Sequence, residues 1–381
     1  MKSIVVGRLN EESGEGTLLR VIFYLFILSS VLSFTLEVQS SASWNGLFFG
    51  LKIAMLFLYV LGSLVCSEHL EKYLLIGFLF GFFALFASDK VLPYMLFVMI
   101  SLALSDRSHG FLERMFCRAA VLVLCGCLAV FALSFLGIID SKVFVNTLGY
   151  AQEERNSLGF FNPNPASLLL LSVMTIFFVY GRYWYFYISL IVFFVFSIWL
   201  FSRTYLLVAC LFPFILLLGR LRLSVFFNIF SVCSILIVPI FALCFAEYRT
   251  ITVAGVDLNA YLSNRLYVIS ESFSSGGGVA LFPNSGFVTV DPGLMNMLGG
   301  GGLLLYLLFS AVLISAISYR PGYRLSLLVL IFVLINLSEN IFSPYNLLSL
   351  AFLAFVIKKF SWCVDDEKNY DTELFIGVRR N

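Results

Sequence analysis

The side chains in this chain best placed to do chemistry are arginines that sit where apolar runs end. Arg203 lies in Ser202-Arg203-Thr204, between the apolar stretches 184–202 and 204–219. Arg155 opens a stretch that runs to Asn162-Pro163-Asn164-Pro165, just ahead of the apolar run 166–181. Arg265 falls inside the long interval 247–292. A guanidinium is always charged and presents a planar fork that matches phosphate oxygens two at a time. Each such group at the end of a membrane-type helix could hold a phosphate. The competing reading for each is an arginine whose stem lies in the apolar layer while its head reaches the lipid headgroups. For Arg203 the first reading is favoured, because ionisable groups at membrane depth usually face a cavity. Arg249 follows a span end directly and reads as an anchor.

Two carboxylates accompany the arginines. Glu339 follows the apolar run 325–338, and Asp291 stands in Asp291-Pro292-Gly293 at the start of the run 293–317. Either could take a proton as a general base. Glu339 could instead cap the following helix, and Asp291 could serve a helix start, where the dipole favours a negative charge. Glu153 and Glu154, beside Arg155, are alternatives. Both histidines, His69 and His109, fall on the opposite side of the apolar runs from these groups. No His/Cys metal cluster and no paired carboxylate spacing accompanies them, so neither a metal nor another cofactor is expected. The Asn-Pro steps at Asn162 and Asn164 force extended or turn geometry ahead of a helix. With Ser202 and Tyr261 they form the candidate positioning residues.

The elements that carry these groups are set by composition. Of the 381 residues, 61% are hydrophobic and only 12% charged, and the mean hydropathy is +0.99. Soluble domains run nearer half apolar and a quarter charged. Disorder is excluded by the same numbers, and a net charge of +2 leaves no nucleic-acid footprint. The 43 Phe and 18 Tyr suit lipid-facing helices and interfacial belts. The eight cysteines lie in or beside apolar runs or in the tail, so no disulfide framework is expected. A membrane helix needs about 20 apolar residues. Twelve runs are candidates, several of them short: 18–36, 46–66, 73–88, 91–105, 118–139, 166–181, 184–202, 204–219, 224–246, 293–317, 325–338 and 343–357. Residues 73–105 could form a re-entrant pair instead of two full spans. The chain reads as an all-α polytopic membrane protein, one integral domain over 1–381.

Orientation follows from the Lys and Arg between spans. With the N-terminus inside, the outer segments hold only Lys90, Lys142, Arg155, Arg203, Arg249 and Arg265. Lys52 lies within a span, and all the other Lys and Arg fall inside, a bias of nearly threefold. Both termini, including the polar tail 358–381, are then cytoplasmic. Two outer segments stand out by length, 140–165 and 247–292. Loops beyond about 12–15 residues are usually functional or disordered. In the larger one, Leu262, Leu266, Ile269 and Phe273 recur at helical spacing with Arg265 on the rim. That pattern predicts an amphipathic helix lying apolar side down on the membrane. Gly276-Gly277-Gly278 reads as a flexible segment that lets the loop close. Gly299 to Gly302 weaken the next helix or permit close packing.

The layout resembles the Wzy-class O-antigen or capsular polysaccharide polymerases, of the O-antigen polymerase and ligase superfamily. RNSLGFFNPNP at 155–165 resembles that family's Arg-x-x-Gly-Phe-x-Asn-Pro-Asn pattern. SRT at 202–204 resembles its Ser-Arg-Ser/Thr motif between two spans. Asn264-Arg265 resembles the arginine of its large periplasmic loop, and VDPGLMNMLGGGGLLLYLL at 290–308 resembles its entry to the next helix. The matches cover about 155–308 in the family's order. Ahead of them, only hydropathy is similar. The resemblance implies a GT-C-like helical glycosyltransferase of the bacterial inner membrane with about twelve spans. Its expected partners are oligosaccharide repeats linked to undecaprenyl pyrophosphate, as donor and acceptor, and its product is a longer chain plus free undecaprenyl pyrophosphate. Arg155, Arg203 and Arg265 would then bind pyrophosphate, with Glu339 or Asp291 as base. Related ligases carry an outer histidine in the region of Glu339-Asn340, which this chain lacks. That departure favours polymerase over a ligase acting on a lipid A-core acceptor. A flippase would call for matching broken helices in two halves, and the polar features crowd instead into 140–292. A structural membrane subunit is the third reading. The sugar, the linkage and the binding of a chain-length regulator are left open by the sequence.

Overall fold

In the computed structural model, the residues described are 14–65, 70–148, 151–218, 223–245, 252–253, 256–257, 265–318, 323–343 and 345–362. The helices in chain order are α1 (Gly14–Ser33), α2 (Leu36–Ser40), α3 (Ala42–Val65), α4 (Leu70–Ser105) and α5 (His109–Phe135). There follow α6 (Pro163–Val179), α7 (Tyr183–Leu200), α8 (Arg203–Leu218) and α9 (Leu223–Phe245). The last four are α10 (Arg265–Ser275), α11 (Gly293–Ser318), α12 (Tyr323–Asn336) and α13 (Leu347–Trp362). Seven helical stretches are long and apolar enough to cross a membrane, and shorter apolar helices lie at Pro163–Val179, Arg203–Pro213, Arg324–Asn336 and Leu347–Lys358. All twelve apolar runs of the sequence fall on helical segments. The protein is thus a mostly helical, membrane-embedded chain.

Two antiparallel hairpins were not anticipated from an all-helical reading. One pairs β1 (Val143–Leu148) with β2 (Ala151–Asn156), placing Phe144 opposite Arg155. The other pairs β3 (Thr252–Val253) with β4 (Val256–Asp257). β3 and β4 have two residues each, and neither VFVNTL in β1 nor AQEERN in β2 alternates apolar with polar residues.

Helix α4 is two helices. Ala87 is extended (φ −156°, ψ 85°), and the Tyr73 hydroxyl donates to Asp106 Oδ2 at 3.0 Å. A straight helix would hold those residues about 50 Å apart at 1.5 Å per residue. The chain therefore folds back at Ala87, and Asp89 and Lys90 lie at the tip. The runs 73–88 and 91–105 are the two arms.

At the centre stand α6 and α12, almost wholly buried along their lengths. α6 packs on α5, α7 and α13, and α12 on α9 and α13. Their apolar surface meets protein rather than lipid. Buried hydroxyls in this core, such as Ser172 and Thr175, bond the carbonyl one turn back, which satisfies them without a partner helix.

The segment after α10 docks against α11 through glycines. Gly302 has φ +80° and breaks the helix. Through that break Leu303 N–H donates to Ala280 O at 2.9 Å, and Leu304 N–H to Leu281 O at 3.1 Å. Asn284 N–H donates to Gly300 O at 2.9 Å, and the ring of Phe287 occupies the space that a Cβ on Gly299 would fill. Phe282 then stacks on Phe86 of the α4 hairpin, with centroids 4.4 Å apart. A Cβ on Gly302 would lie 2.5 Å from the Phe282 carbonyl carbon, on top of the unfavourable φ. Gly302→Ala should therefore cost about 1–3 kcal/mol, visible as a lower melting temperature of the purified protein. Gly300→Ala meets only ordinary contacts, the nearest at 3.5 Å, and should melt like wild type. Equal melting of the two variants would contradict this docking.

Candidate functional site

The site is built on a buried carboxylate. α12 ends at Asn336, and one more turn follows, with Glu339 N–H donating to Ile335 O at 2.7 Å. Glu339 is thus carried on the C-terminal overhang of α12, where the helix dipole disfavours a negative charge. It does not cap the next helix: Asn346 does, accepting from Leu348 N–H at 2.9 Å. The Glu339 side chain is only 14% exposed. Burial pushes its pKa above the ordinary glutamate value, against the opposing pull of Arg265, while nearby Asp291 adds to the rise and Arg155 opposes it.

Arg265 supplies the countercharge. It is the first residue of α10, and its Nη2 donates to Glu339 Oε1 at 2.6 Å. Its Nε lies 3.5 Å from Asp291 Oδ2, so one guanidinium faces two carboxylates. The apolar stripe of α10 explains how Arg265 is held. Leu266, Ile269 and Phe273 are buried in the protein, with Phe273 edge-on to Phe287 at 5.0 Å. The stripe therefore faces the core, not a membrane surface as its pattern suggested, because the docked 280–290 segment and α9 supply an apolar partner. The Gly276-Gly277-Gly278 run is correspondingly a helix stop rather than a loose hinge. Gly278 N–H donates to Phe273 O at 2.7 Å and Gly277 has φ +78°, the paired-bond geometry in which glycine closes a helix.

Asp291 is placed by amides that the sequence reading missed. Asn296 is buried, and its side chain closes a two-bond ring on Val290, accepting from the N–H at 2.9 Å and donating to the carbonyl at 2.8 Å. Asn336 is wholly buried, with Oδ1 accepting from Ile341 N–H at 3.3 Å. It packs where a Cβ on Gly293 would have to sit. Gly293 N–H in turn donates to the Glu339 carbonyl at 3.2 Å. The start of α11 and the end of α12 are thereby joined, which brings Asp291 and Glu339 to one guanidinium.

A second arm reaches Glu339 from α6. Asn162 caps that helix, its Oδ1 accepting from Asn164 N–H at 3.0 Å, and Pro163 takes the first helical position, where no backbone N–H is needed. The cap presents the Asn164 amide, which donates a long bond to Glu339 Oε1 at 3.5 Å and accepts from the Ser202 hydroxyl at 2.9 Å. Ser202 is held in the turn between α7 and α8, where Phe201 adopts a left-handed conformation, φ +35°. Leu158, in the turn leading to α6, is also left-handed at φ +49°. Two non-glycine residues in that region flank one site, as strained backbone often does.

Of the nine residues singled out in the sequence, Asn162, Asn164, Ser202, Arg265, Asp291 and Glu339 form one connected network. Arg155 lies within electrostatic reach of Glu339, and Arg203 opens α8 next to Ser202. Tyr261 lies outside the described residues, as do Asn264 and Arg249 and the side chain of Glu153. Glu154 is exposed on β2. Tyr205 was missed: it is buried one turn into α8 and interacts electrostatically with Glu339, Arg265 and Asp291. Polar residues inside apolar runs were the available signal for Asn296 and Asn336. Among the described residues, no three His, Cys, Asp or Glu side chains gather as a metal site requires. No family model, curated protein or solved structure matches this chain.

What the arrangement can do is hold an acid near a cation fork, out of bulk water. Removing the fork should leave a largely buried carboxylate without its main partner, a loss of about 1–3 kcal/mol. Arg265→Met should therefore lower the melting temperature clearly, and Arg265→Met with Glu339→Gln should recover part of it. The raised pKa means that the fold favours the Glu339 acid form more than water does. Any stabilisation from that form is complete below the ordinary glutamate pKa and fades as pH rises through the raised one. The Arg265→Met defect should accordingly be smaller in mild acid than at neutral pH. A double variant no better than the single, with no pH dependence, would remove this pair from its structural role.

Proposed function

We propose that the protein is a polysaccharide polymerase of the Wzy class, which joins oligosaccharide repeats carried on undecaprenyl pyrophosphate at the periplasmic face of a bacterial inner membrane. The observation that carries this reading is convergence. The four stretches that resemble the family are far apart in the chain, and each contributes to one cluster: Asn164 from the first, Ser202 from the second, Arg265 from the third and Asp291 from the fourth. Glu339 stands at their meeting point. In this reading the chain has about twelve spans in a GT-C-like arrangement, and both termini are cytoplasmic.

The chemistry follows from the charges. The acceptor hydroxyl gives its proton to the Glu339 carboxylate as its oxygen attacks the anomeric carbon of the donor. The bond from that carbon to the pyrophosphate oxygen breaks, and undecaprenyl pyrophosphate leaves with the bonding pair. The growing chain is thereby moved onto the sugar end of a fresh repeat. Arg265, Arg203 and Arg155 stabilise the charge that develops on the pyrophosphate, which fixed donors do best in a site with little water. Arg265 would exchange part of its bond to Glu339 for the pyrophosphate, and so deliver a more basic carboxylate when the donor binds. Asp291 holds Arg265 from its exposed side, 64% open to solvent, and is the second choice for the base.

The test is genetic deletion in a native host, followed by separation of surface polysaccharide on a gel. A polymerase predicts that the ladder collapses to single repeats. Polymer made on its lipid carrier but never attached would indicate a ligase, and repeats trapped on the cytoplasmic side a flippase. Complementation with Glu339→Gln should restore chain growth only to about 10²–10⁴-fold below wild type, the usual effect of losing a general base. Arg265→Lys, which keeps charge but loses the fork, should also fail to restore long chains.

A further inference from the structure

A pocket on the other side of the Glu339 segment is not used by this chemistry. It lies at the tip of the α4 hairpin, has a volume of about 140 Å³ and is half open to solvent. Asp89, Lys90 and Tyr94 come from the hairpin, Phe287 and Thr289 from the docked segment, and Asn340 from the turn after Glu339. The two sites share a wall. Thr289 stands two residues before Asp291, Asn340 directly follows Glu339, and Asn296, which rings Val290, also lines the pocket.

The lining differs in kind from the arginine cluster. Its one cation, Lys90, faces its one anion, Asp89, at 3.7 Å, so the pocket has no net charge to attract pyrophosphate. It offers an ammonium donor, a carboxylate acceptor, a hydroxyl and an amide, with the rings of Tyr94, Phe287 and Phe342 as walls. The Lys90 stem lies against Gly300, and Asn340 Oδ1 is held by Phe342 N–H at 3.2 Å, so these groups are pre-set. Hydroxyls that both donate and accept, together with an apolar ring face, are the complement of such a lining. A sugar has both.

We propose that this pocket is a carbohydrate subsite that holds the sugar end of the acceptor, with the reacting hydroxyl directed across the shared wall toward Glu339. The assignment to an acceptor rests on the polymerase reading, while sugar binding by the pocket does not. Lys90 and Asp89, 3.7 Å apart, bind neighbouring hydroxyls on one edge of the ring, and Thr289 and Asn340 fix its register.

The probe is the host's repeat-unit oligosaccharide, freed from lipid and pyrophosphate by mild acid and titrated against the purified full-length protein in detergent. Wild type should bind it, and Lys90→Gln and Thr289→Val should each weaken binding about tenfold, the effect of one lost hydrogen bond of about 1.4 kcal/mol. Both variants must melt with wild type, and Asp89→Asn, altered at an exposed position, serves as the second probe if either does not. No binding by wild type, or equal binding by wild type and the variants, would overturn the proposal. Elongation of the lipid-linked repeat is measured on the same samples. Glycan binding that depends on Lys90 without any elongation would keep the subsite and overturn the polymerase reading. Elongation with an unchanged acceptor KM in all three variants would keep the polymerase and overturn the subsite.

Discussion

Taking a carboxylate out of water costs several kcal/mol unless a cation and hydrogen-bond donors replace the solvent. Glu339 meets that requirement through Arg265 at 2.6 Å and Asn164 at 3.5 Å. Both partners come from far along the chain, so the requirement ties together parts of the protein that apolar packing alone would leave free to slide. Hydrophobic burial sets the helices side by side, but lipid is as apolar as leucine and gives little register along their axes. The Arg265–Glu339 pair, with Asp291 on its flank, fixes the ends of α6, α10, α11 and α12 at one level.

Holding Arg265 in place takes most of the remaining irregular structure. Most of a helix's stability in a protein comes from the packing of its apolar face rather than from the helix itself. Helix α10 is kept by its buried stripe, by the glycine stop at Gly277 and by the segment that docks through Gly299 and Gly302. That segment needs main-chain partners, and the break at Gly302 frees α11 carbonyls and N–H groups to supply them. A buried backbone polar group left without a partner is costly. The same docking brings Phe282 to the α4 hairpin, so the tip carrying Asp89 and Lys90 is joined to the site through one aromatic stack.

Much of this was legible in the sequence because the bilayer leaves a coarse and strong signal. Every apolar run fell on a helix, and the two arms of α4 were marked by the polar Asp89-Lys90 step. Arginines at span ends, the Asn-Pro steps and Glu339 stood out because polar groups are costly there. The fate of the α10 stripe was not legible. A stripe of Leu266, Ile269 and Phe273 looks the same whether lipid or protein covers it, and only the docked segment decides. The first hairpin escaped because its strands do not alternate and the second because its strands are so short, while the partners of the Asn296 and Asn336 amides are main-chain groups that leave no pattern of side chains. Tyr205 escaped because a tyrosine in a membrane helix is ordinary until its neighbours are known.

The central claim of the polymerase proposal is that Glu339 accepts the proton while the Arg265 fork stands beside it. The direct measurement is kcat/KM against pH for the purified protein elongating a lipid-linked repeat, read as release of undecaprenyl pyrophosphate. A base must be ionised to act, and burial raises the pKa of this one. The acid limb should therefore fall at a pH above the ordinary glutamate range and disappear in Glu339→Gln, whose residual rate should be flat across that interval. A wild-type profile without that limb, or a Glu339→Gln enzyme that keeps the same limb and rate, would contradict the account.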